Sequence, residues 1–478
     1  MKSRTAIVTA VLILIMALLT GCRYESLEDY LKALGILDPM EYDDQVVIEQ
    51  TEDVSSADLF EPIVVDDTKE EEAAAEYSST DEPKDDETSL FEGFDFHAPD
   101  ADFFMGYQGF GGSGLDADDK KKREDIGITD DGMEAKKRQQ EGLYAYERLT
   151  DSGKTLYVEI LTIMENLAED VCVSTTSDEA IELVFDYCMA DHPEIFYVDG
   201  YHYTNYSVGD TITKISFTGN YIYDSDEVKS RKRRINEVVN RALAKAPSSD
   251  DDYYAIRYVY EYLIENTDYD MSANDNQNIC SVFLDGRSVC NGYAKAAQYL
   301  LGKLGISSTL VTGFVNTKNS SEVRHAWNLV RCNNAYYYFD VTWGDASYQT
   351  VSGESADASK LPDVNYDYLN VTTDEIERTH RISDEIYMPV CSSLTDNFYV
   401  REDEYFTRAE LTLVDELFDR RYKDGSGNVT IKCATDEVYD ELFEQLITEH
   451  KVFDYMQGDT SQISYTTFED TRTIMFWL

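Results

Sequence analysis

The stretch GRSVCNGYAKAAQYLLGKLGI, residues 286–306, places a cysteine between a turn and a helical pattern. Gly286 and Ser288 are turn-forming residues. The apolar residues behind the cysteine recur at helical intervals and predict a helix that begins at Cys290. These residues are Ala294, Ala297, Leu300, Leu301 and Leu304. Unpaired backbone N–H groups at the start of a helix stabilise negative charge, so the position favours a thiolate, the nucleophilic form of cysteine.

A β-hairpin is predicted downstream of this helix, after a strand SSTLVTGFV. The segments HAWNLVRC (325–332) and AYYYFDVTW (335–343) read as strands, and Asn333-Asn334 between them suits a two-residue turn. With this turn, Cys332 faces Ala335, and residues farther from the turn face each other in the same register. A shift of one residue would move one strand's side chains to the other face of the sheet, so the prediction is specific.

The predicted register brings together the second and third residues of a candidate site. Trp327 faces Asp340 and His325 faces Thr342, so His325 and Asp340 are diagonal neighbours on one face of the sheet. A cysteine nucleophile needs a base, and the base needs an orienting group. His325 and Asp340 are the candidates for these roles, and Asp345, in a predicted loop, is the alternative carboxylate.

Several motifs together resemble the transglutaminase-like superfamily. They are CNGYA (290–294), the Gly-Ile pair 305–306, VTG (311–313), HAWN (325–328) and YYFDVTW (337–343), and they stand in the order of that family. The resemblance covers roughly residues 250–385. It implies an α+β fold with a papain-like core, in which a cysteine-bearing helix packs on an antiparallel sheet. An N-terminal α/β region and a small C-terminal α/β unit complete the expected fold.

The resemblance also implies a chemistry. Cys290 would be the nucleophile, His325 the general base and then acid, and Asp340 the group that orients His325. The reaction would be transfer of an acyl group from an amide to an amine or to water through a thioester, with no cofactor or metal. Animal members of the family use a tryptophan upstream of the cysteine in the oxyanion hole. This chain has tryptophan only at 327, 343 and 477, so only the backbone N–H of Cys290 is predicted as an oxyanion donor.

The other cysteines and histidines are expected to be structural. Seven cysteines follow Cys22, an odd number that leaves at least one free thiol in a monomer. They show no zinc-binding spacing. A disulfide between Cys280 and Cys290 is the alternative that would block the nucleophile. His380 is expected to pack in the interior, and a place in the lining of the cleft is the alternative.

The first residues resemble an export signal. Lys2 and Arg4 precede an apolar run from Ala6 to Leu19, which is too short for an ordinary membrane span. The run ends in Leu-Thr-Gly-Cys, which resembles the bacterial lipobox. This resemblance implies that Cys22 is lipidated and that the protein is exported and anchored to the outer face of a bacterial membrane.

The charge of the chain is strongly acidic, with a net value of −53. Residues 51–100 contain 18 Asp or Glu against Lys69 and Lys84. Such a segment cannot bury enough apolar surface to fold, and its charge repels nucleic acid. Residues 23–139 are therefore predicted to be a disordered tether, and no nucleic-acid partner is expected.

The rest of the chain divides into three predicted parts that follow the signal segment, residues 1–22, and the tether. Helical and strand patterns predict an α/β region at 140–248, the catalytic domain at 249–390 and a C-terminal α/β unit at 391–478. The predicted function is that of a membrane-anchored cysteine acyltransferase or protease acting on protein or peptide substrates at the cell surface. The alternative is an inactive module of the same fold that serves as a binding surface or scaffold.

Overall fold

The computed structural model of the chain describes residues 47–55, 115–208, 211–317, 322–351, 361–383, 385–458 and 462–478. The signal segment, Cys22 and most of the acidic segment lie outside these residues. Two compact units are distinguished, one of residues 1–49 and 206–212 and the other of residues 50–205 and 213–478. Cys290, His325 and Asp340 all belong to the second unit.

The helices of the described residues are, in chain order, α1 (Ala117–Asp125), α2 (Asp130–Gln140), α3 (Asp151–Glu165), α4 (Asp178–Asp191), α5 (Ser225–Leu243), α6 (Asp252–Asn266), α7 (Cys290–Lys303), α8 (Ala346–Val351), α9 (Thr373–Ile376), α10 (Phe398–Arg401), α11 (Leu411–Asp424) and α12 (Asp436–Phe443). Short 3₁₀ or π turns supplement them at Tyr146–Arg148, Ser281–Asp285, Tyr366–Tyr368, Glu444–Thr448 and Lys451–Tyr455.

The strands follow the same order. They are β1 (Val47–Ser55), β2 (Val171–Cys172), β3 (Val198–Val208), β4 (Thr211–Tyr221), β5 (Asp268–Tyr269), β6 (Arg287–Ser288), β7 (Ser308–Val315), β8 (Val323–Cys332), β9 (Ala335–Phe339), β10 (Leu369–Val371), β11 (His380–Ile382), β12 (Tyr405–Phe406), β13 (Asn428–Cys433), β14 (Ser464–Phe468) and β15 (Thr473–Trp477).

The central sheet has the strand order β10-β9-β8-β7-β11 and is antiparallel throughout. Helix α7 packs against β7 and β8, and the Asn328 side chain of β8 donates to the carbonyl of Ala294 in this helix at 3.0 Å. A cysteine-bearing helix on an antiparallel sheet confirms the predicted α+β, papain-like core.

The predicted hairpin register is confirmed. Cys332 pairs with Ala335, and the ladder continues to the pair Asn328 and Phe339. Asn333 adopts a left-handed conformation (φ 52°), which asparagine tolerates and which the turn needs. Because β9 ends at Phe339, Asp340 lies one residue beyond the ladder, and the predicted pairing of His325 with Thr342 falls outside it.

The prediction of a tether up to residue 139 is wrong for residues 115–139. Helix α1 begins with a capping box formed by Asp116 and Asp119, and Arg123 in the same helix pairs with the buried Glu159 of α3 at 2.6 Å. Helix α2 buries Met133. Long-range ion pairs and capping thus order a segment whose composition alone is too charged to predict folding.

The remaining parts are small layers of helices and strands. Strand β4 lies between β3 and β2 in the N-terminal region, and the Gln298 side chain of α7 donates to the carbonyl of Ala190 at the end of α4, at 2.6 Å. The C-terminal sheet has the order β12-β13-β15-β14. Its core joins Val414, Leu417 and Phe418 of α11 to Val429 of β13, as expected for a small α/β unit.

Candidate active site

Cys290 is the first residue of α7, as predicted. The preceding Val289 is extended, and no side chain caps this helix terminus. Cys290 is 8% exposed. All seven cysteines from Cys172 to Cys433 are free thiols, so the alternative disulfide between Cys280 and Cys290 is not formed. The thiol thus stands at a helix terminus whose backbone favours negative charge.

Gly292 allows the first turn of α7 to lie against the preceding loop. A Cβ atom at this position would lie 1.9 Å from Ser288 Oγ and 2.9 Å from the carbonyl oxygen of Asn276. The segment 276–288 is therefore in close contact with the helix beside Cys290, which explains the glycine of the CNGYA motif.

His325 and Asp340 form the hydrogen bond that the register predicts. Nε2 of His325 donates to Oδ2 of Asp340 at 2.7 Å, and both side chains are buried. The other carboxylate oxygen accepts the backbone N–H groups of Thr342, at 2.9 Å, and Trp343, at 3.2 Å. The turn after β9 thus fixes the carboxylate that orients the imidazole.

His325 also interacts with Cys290. The charge and the side chain of Cys290 both act on the imidazole, and because Nε2 faces Asp340, Nδ1 is the ring nitrogen left for the thiol. Burial alone would lower the pKa of His325, but the negative charges of Asp340 and Cys290 outweigh it and raise that pKa well above its usual value. The imidazole is therefore well suited to hold a proton between a sulfur and a carboxylate.

Asp340 is held in its ionised form. Burial alone would raise the pKa of this carboxyl, but the charge of His325 and hydrogen bonds from His325 and His380 lower it well below the usual range. Asp345, the alternative carboxylate, belongs elsewhere, since it accepts the hydroxyl of Tyr293 at 2.7 Å and the backbone N–H of Ser347 at 2.7 Å.

His380 is a residue to which sequence reasoning assigned no role in the site. Its Nε2 donates to Oδ2 of Asp340 at 2.9 Å, and its Nδ1 lies 2.7 Å from the hydroxyl of Thr379. Burial lowers the pKa of His380 despite the opposing effect of Asp340, so Nδ1 of the neutral ring accepts the Thr379 proton. The expectation that His380 only packs in the interior is thus wrong in one respect, because it also binds the site's carboxylate.

Aromatic rings surround this polar chain. Trp327 stacks near the His325 ring with centroids 5.9 Å apart, and Trp343 and Tyr348 lie at 6.3 and 6.0 Å. Gly313 pairs with His325 across β7 and β8, and a Cβ there would lie 2.7 Å from the Trp327 ring. The glycine of the VTG motif therefore makes room for the ring beside His325.

Tyr269 is a second residue that sequence reasoning did not identify. Its strand β5 pairs in parallel with β6, so Tyr269 pairs with Ser288, two residues before Cys290. Burial raises the pKa of Tyr269 well above its usual value, and the charge of Cys290 adds to this effect. Its ring packs edge-on against Tyr348 at 4.8 Å, and Tyr348 in turn lies beside the His325 ring.

The cluster of His325, Asp340 and His380 contains donor types that bind metal ions, and the donor atoms lie within 4.8 Å of one another. Both imidazoles, however, donate an N–H to the same carboxylate oxygen. Hydrogen bonding accounts for the position of each donor, so the arrangement fits a proton-holding chain better than a coordination sphere.

The family model of the transglutaminase-like superfamily (Transglut_core) matches residues 240–341. This segment includes α7, β7, β8 and β9, and with it Cys290, His325 and Asp340. The predicted resemblance is therefore confirmed, and the core of this chain is transglutaminase-like. No curated protein matches the chain significantly.

Solved structures that match part of the chain include a TGase, at 16% identity, with a TM-score of 0.22 and coverage of 30% of this chain and 44% of that one. A protein from Cytophaga hutchinsonii, described as a "putative cysteine protease", matches at 15% identity, TM-score 0.21 and coverage of 30% and 57%. The periplasmic domain of TgpA from Pseudomonas aeruginosa, bound to ethylmercury, matches at 11% identity, with a TM-score of 0.20. The match covers 30% of this chain and 72% of that one. The chain spans about half the length of the first two structures.

None of the helices in the described part of the chain is long and apolar enough to cross a membrane.

Proposed function

We propose that this chain is a thiol enzyme that transfers acyl groups from peptide or side-chain amides to an amine or to water. The observation that carries the proposal is the position of His325, which interacts with Cys290 and donates a hydrogen bond to the Asp340 carboxylate at 2.7 Å. Nucleophile, base and orienting group are the three parts that this chemistry needs.

The proposed reaction has two halves. The thiolate of Cys290 attacks the amide carbon and forms a C–S bond. The C–N bond then breaks, and the leaving amine takes a proton from the His325 imidazolium, which leaves a thioester. An amine or a water molecule then attacks the thioester and gives its proton to His325, and the C–S bond breaks to restore the thiolate. Asp340 holds the imidazole in orientation and stabilises its charge during both halves.

The oxyanion that forms in each half needs hydrogen-bond donors. The backbone N–H of Cys290, at the start of α7, is the first donor in this proposal. Tyr269 is the second donor in this proposal, because it is close enough for the charge of Cys290 to act on its phenol and its ring packs against Tyr348. Replacement of one such donor costs on the order of 10²-fold in rate, which Tyr269→Phe tests.

The test of the function uses the matched cysteines at 280 and 290, which are both buried free thiols. Iodoacetamide should alkylate Cys290 fast near neutral pH, and His325→Ala should slow this reaction. With casein and a labelled amine, incorporated label indicates transamidation and new N-termini indicate proteolysis. Cys290→Ala should abolish either activity, and Cys280→Ala should retain it.

A result of the opposite kind would favour the scaffold alternative. If Cys290 reacts no faster than an ordinary exposed thiol, and neither label nor new N-termini form over a broad set of protein substrates, the enzyme proposal fails.

We propose further that the enzyme acts on protein or peptide substrates at the outer face of a bacterial membrane, anchored by lipid on Cys22. The support is the sequence LTGC at residues 19–22 behind a short apolar run. Metabolic labelling with a fatty acid should mark the full chain and not Cys22→Ser, which should leave the membrane fraction. An unlabelled full chain in the soluble fraction would contradict this localisation.

A further inference from the structure

A cavity of about 100 Å³ adjoins the candidate active site. It lies between helix α4, helix α7, strands β7 and β8 and the segment that follows β11. His325 forms part of its wall, as does Asn291, the residue after Cys290. Because one water takes about 30 Å³ of liquid volume, the cavity has room for a single side chain. A group bound there would lie beside the reacting thiol.

Most of the cavity wall is apolar. Phe185 and Met189 of α4 face it from one side, and Leu310, Phe314 and Ile386 contribute from the sheet and the following segment. Phe185 and Leu310 are buried. A wall of this kind suits the methylene groups of an aliphatic chain.

Two polar groups in this wall are acceptors that lack a donor within the described part of the chain. Asn291 is 2% exposed, and its Nδ2 donates to Gln277 Oε1 at 3.3 Å, whereas its Oδ1 accepts no hydrogen bond. The carboxylate of Asp186 likewise forms neither a hydrogen bond nor an ion pair with these residues. A buried acceptor without a donor is costly, so a ligand that brings a donor would relieve Asn291 Oδ1. Asp186 is half-buried, and the same ligand would supply a partner for its carboxylate.

The charges that act on Asp186 are negative. Burial raises the pKa of Asp186 to about 7, and the charges of Glu385 and Glu182 contribute in the same direction. Glu385 lines the cavity from the opposite side and accepts the hydroxyls of Thr312, at 2.8 Å, and Ser383, at 3.0 Å. Because the charge of Glu385 disfavours the ionised form of Asp186, a positive charge bound near the two carboxylates would offset this repulsion.

Two cations, Lys295 and Arg324, also line the cavity. The Lys295 ammonium is directed to the carbonyl oxygen of Gln277 at 3.3 Å, and burial lowers the pKa of Lys295 to about 8. Arg324 is exposed and pairs with Phe314 across the strands. Neither is among the charges that act on Asp186.

We propose that this cavity receives an aliphatic side chain with a terminal ammonium group, of the lysine type, from the substrate that carries the reacting acyl group. The methylenes contact the apolar wall, and the ammonium donates to Asp186, with Glu385 and Asn291 Oδ1 as further acceptors. An ammonium held by carboxylates stays protonated and is not a nucleophile, so the occupant is recognised there and not consumed. The inference rests on the proposed function, since it assigns a substrate class to the same site.

The test compares two alkylating probes of equal length on the full chain. N-(4-aminobutyl)iodoacetamide carries an ammonium, and N-pentyliodoacetamide is its neutral counterpart. At pH 8, where Asp186 is ionised, the second-order rate of Cys290 alkylation should be about tenfold higher for the cationic probe, the effect of one charge-assisted hydrogen bond. Asp186→Asn should bring the ratio close to one.

Glu182→Gln is the matched control. Glu182 is exposed on the same helix, one turn before Asp186, and does not line the cavity, so its replacement should leave the ratio near tenfold. If Asp186→Asn does not fold, Glu385→Gln serves as the second variant and should lower the ratio.

A ratio near one in the unmodified chain, or a tenfold ratio that survives Asp186→Asn, would overturn the assignment. The ratio does not depend on how reactive the thiol is. Slow reaction with plain iodoacetamide therefore counts against the proposed function, whereas a ratio near one counts against the cavity.

Discussion

Asp340 and Asp367 are both buried carboxylates that accept several hydrogen bonds, yet their surroundings differ. Asp340 binds two imidazoles and two backbone N–H groups. Asp367, in the 3₁₀ turn before β10, binds Lys432 at 3.3 Å and the hydroxyls of Thr471 and Thr473 at 2.6 and 2.5 Å. Asp340 is linked through His325 to the Cys290 thiol, whereas Asp367 is linked to a lysine and two threonines.

This difference distinguishes a candidate active site from a cluster that only holds two parts of the fold together. The lysine and threonines belong to the C-terminal sheet or its last turn, so their contacts with Asp367 hold the C-terminal unit against the core. Burial, charge and satisfied hydrogen bonds are common to both clusters. What Asp340 adds is a group that can carry a proton in line with a nucleophile, and this is the feature that indicates catalysis.

The largest expected effect is that of Asp340→Asn on activity. The amide cannot stabilise the imidazolium, and it favours the wrong tautomer of His325. Turnover should fall on the order of 10³ to 10⁴-fold. Acyl transfer or hydrolysis with a good substrate measures it. A loss of less than tenfold would show that Asp340 does not support His325.

Asp367→Asn should instead lower the stability of the protein and leave the reactivity of Cys290 nearly unchanged. It leaves the Lys432 ammonium buried without its counter-charge, which costs about 3–5 kcal/mol of unfolding free energy. Denaturant unfolding measures the loss. The alkylation rate of Cys290 in the folded variant should stay within about twofold of the parent, because Asp367 does not contact the thiol or His325. Equal losses of activity from Asp340→Asn and Asp367→Asn would show that the two carboxylates do not differ in role.

His380 should have an intermediate effect. His380→Leu removes one of the donors to Asp340, and kcat should fall about tenfold with little change in KM, as for other groups that orient a reacting residue. His380→Gln places an amide N–H where Nε2 lies and should recover most of the rate. Loss of thermal stability in both variants without this recovery would indicate that His380 serves packing only.

The smallest expected effect concerns Asp186 and pH. Its pKa in the folded chain, about 7, lies above the value of about 3.9 for an unfolded chain. The unfolded state therefore loses its proton first as pH rises, and stability falls between about pH 4 and pH 7. Asp186→Asn should remove this loss and stabilise the protein by about 1 kcal/mol at pH 8, a figure reduced for partial exposure.

At about pH 3 or below, where the carboxyl is largely protonated in both states, Asp186→Asn and the parent should unfold at nearly the same denaturant concentration. An unchanged difference across this range would contradict the raised pKa. A carboxylate that lowers stability at neutral pH is of the kind retained at binding sites.

The parts of the site that sequence predicted are those fixed by local rules. The start of α7 follows from the apolar spacing behind Cys290, and the partnership of His325 and Asp340 follows from a two-residue turn at Asn333. Both depend on residues that are close in sequence. The fold class and the small C-terminal unit were predictable for the same reason, because their helices and strands have clear periodicity.

The parts that sequence did not predict depend on distant contacts. His380 lies in a three-residue strand that pairs with β7, and nothing in the segment ERTHRI indicates this neighbour. Helices α1 and α2 need partners such as Glu159, which no local pattern identifies. Asp186 lines the cavity from a helix that lies about a hundred residues before Cys290 in the sequence. This helix is outside the segment that matches the family.

The strand order β10-β9-β8-β7-β11 bears on how this chain can be divided for expression. Both outer strands lie beyond residue 341, where the match to the family ends. A fragment of residues 240–341 would keep three strands with both edges open, and open edges invite pairing with other molecules and precipitation. The segment that matches the family is therefore shorter than the segment needed for a soluble fragment. A useful truncation must include the residues at least through Ile382.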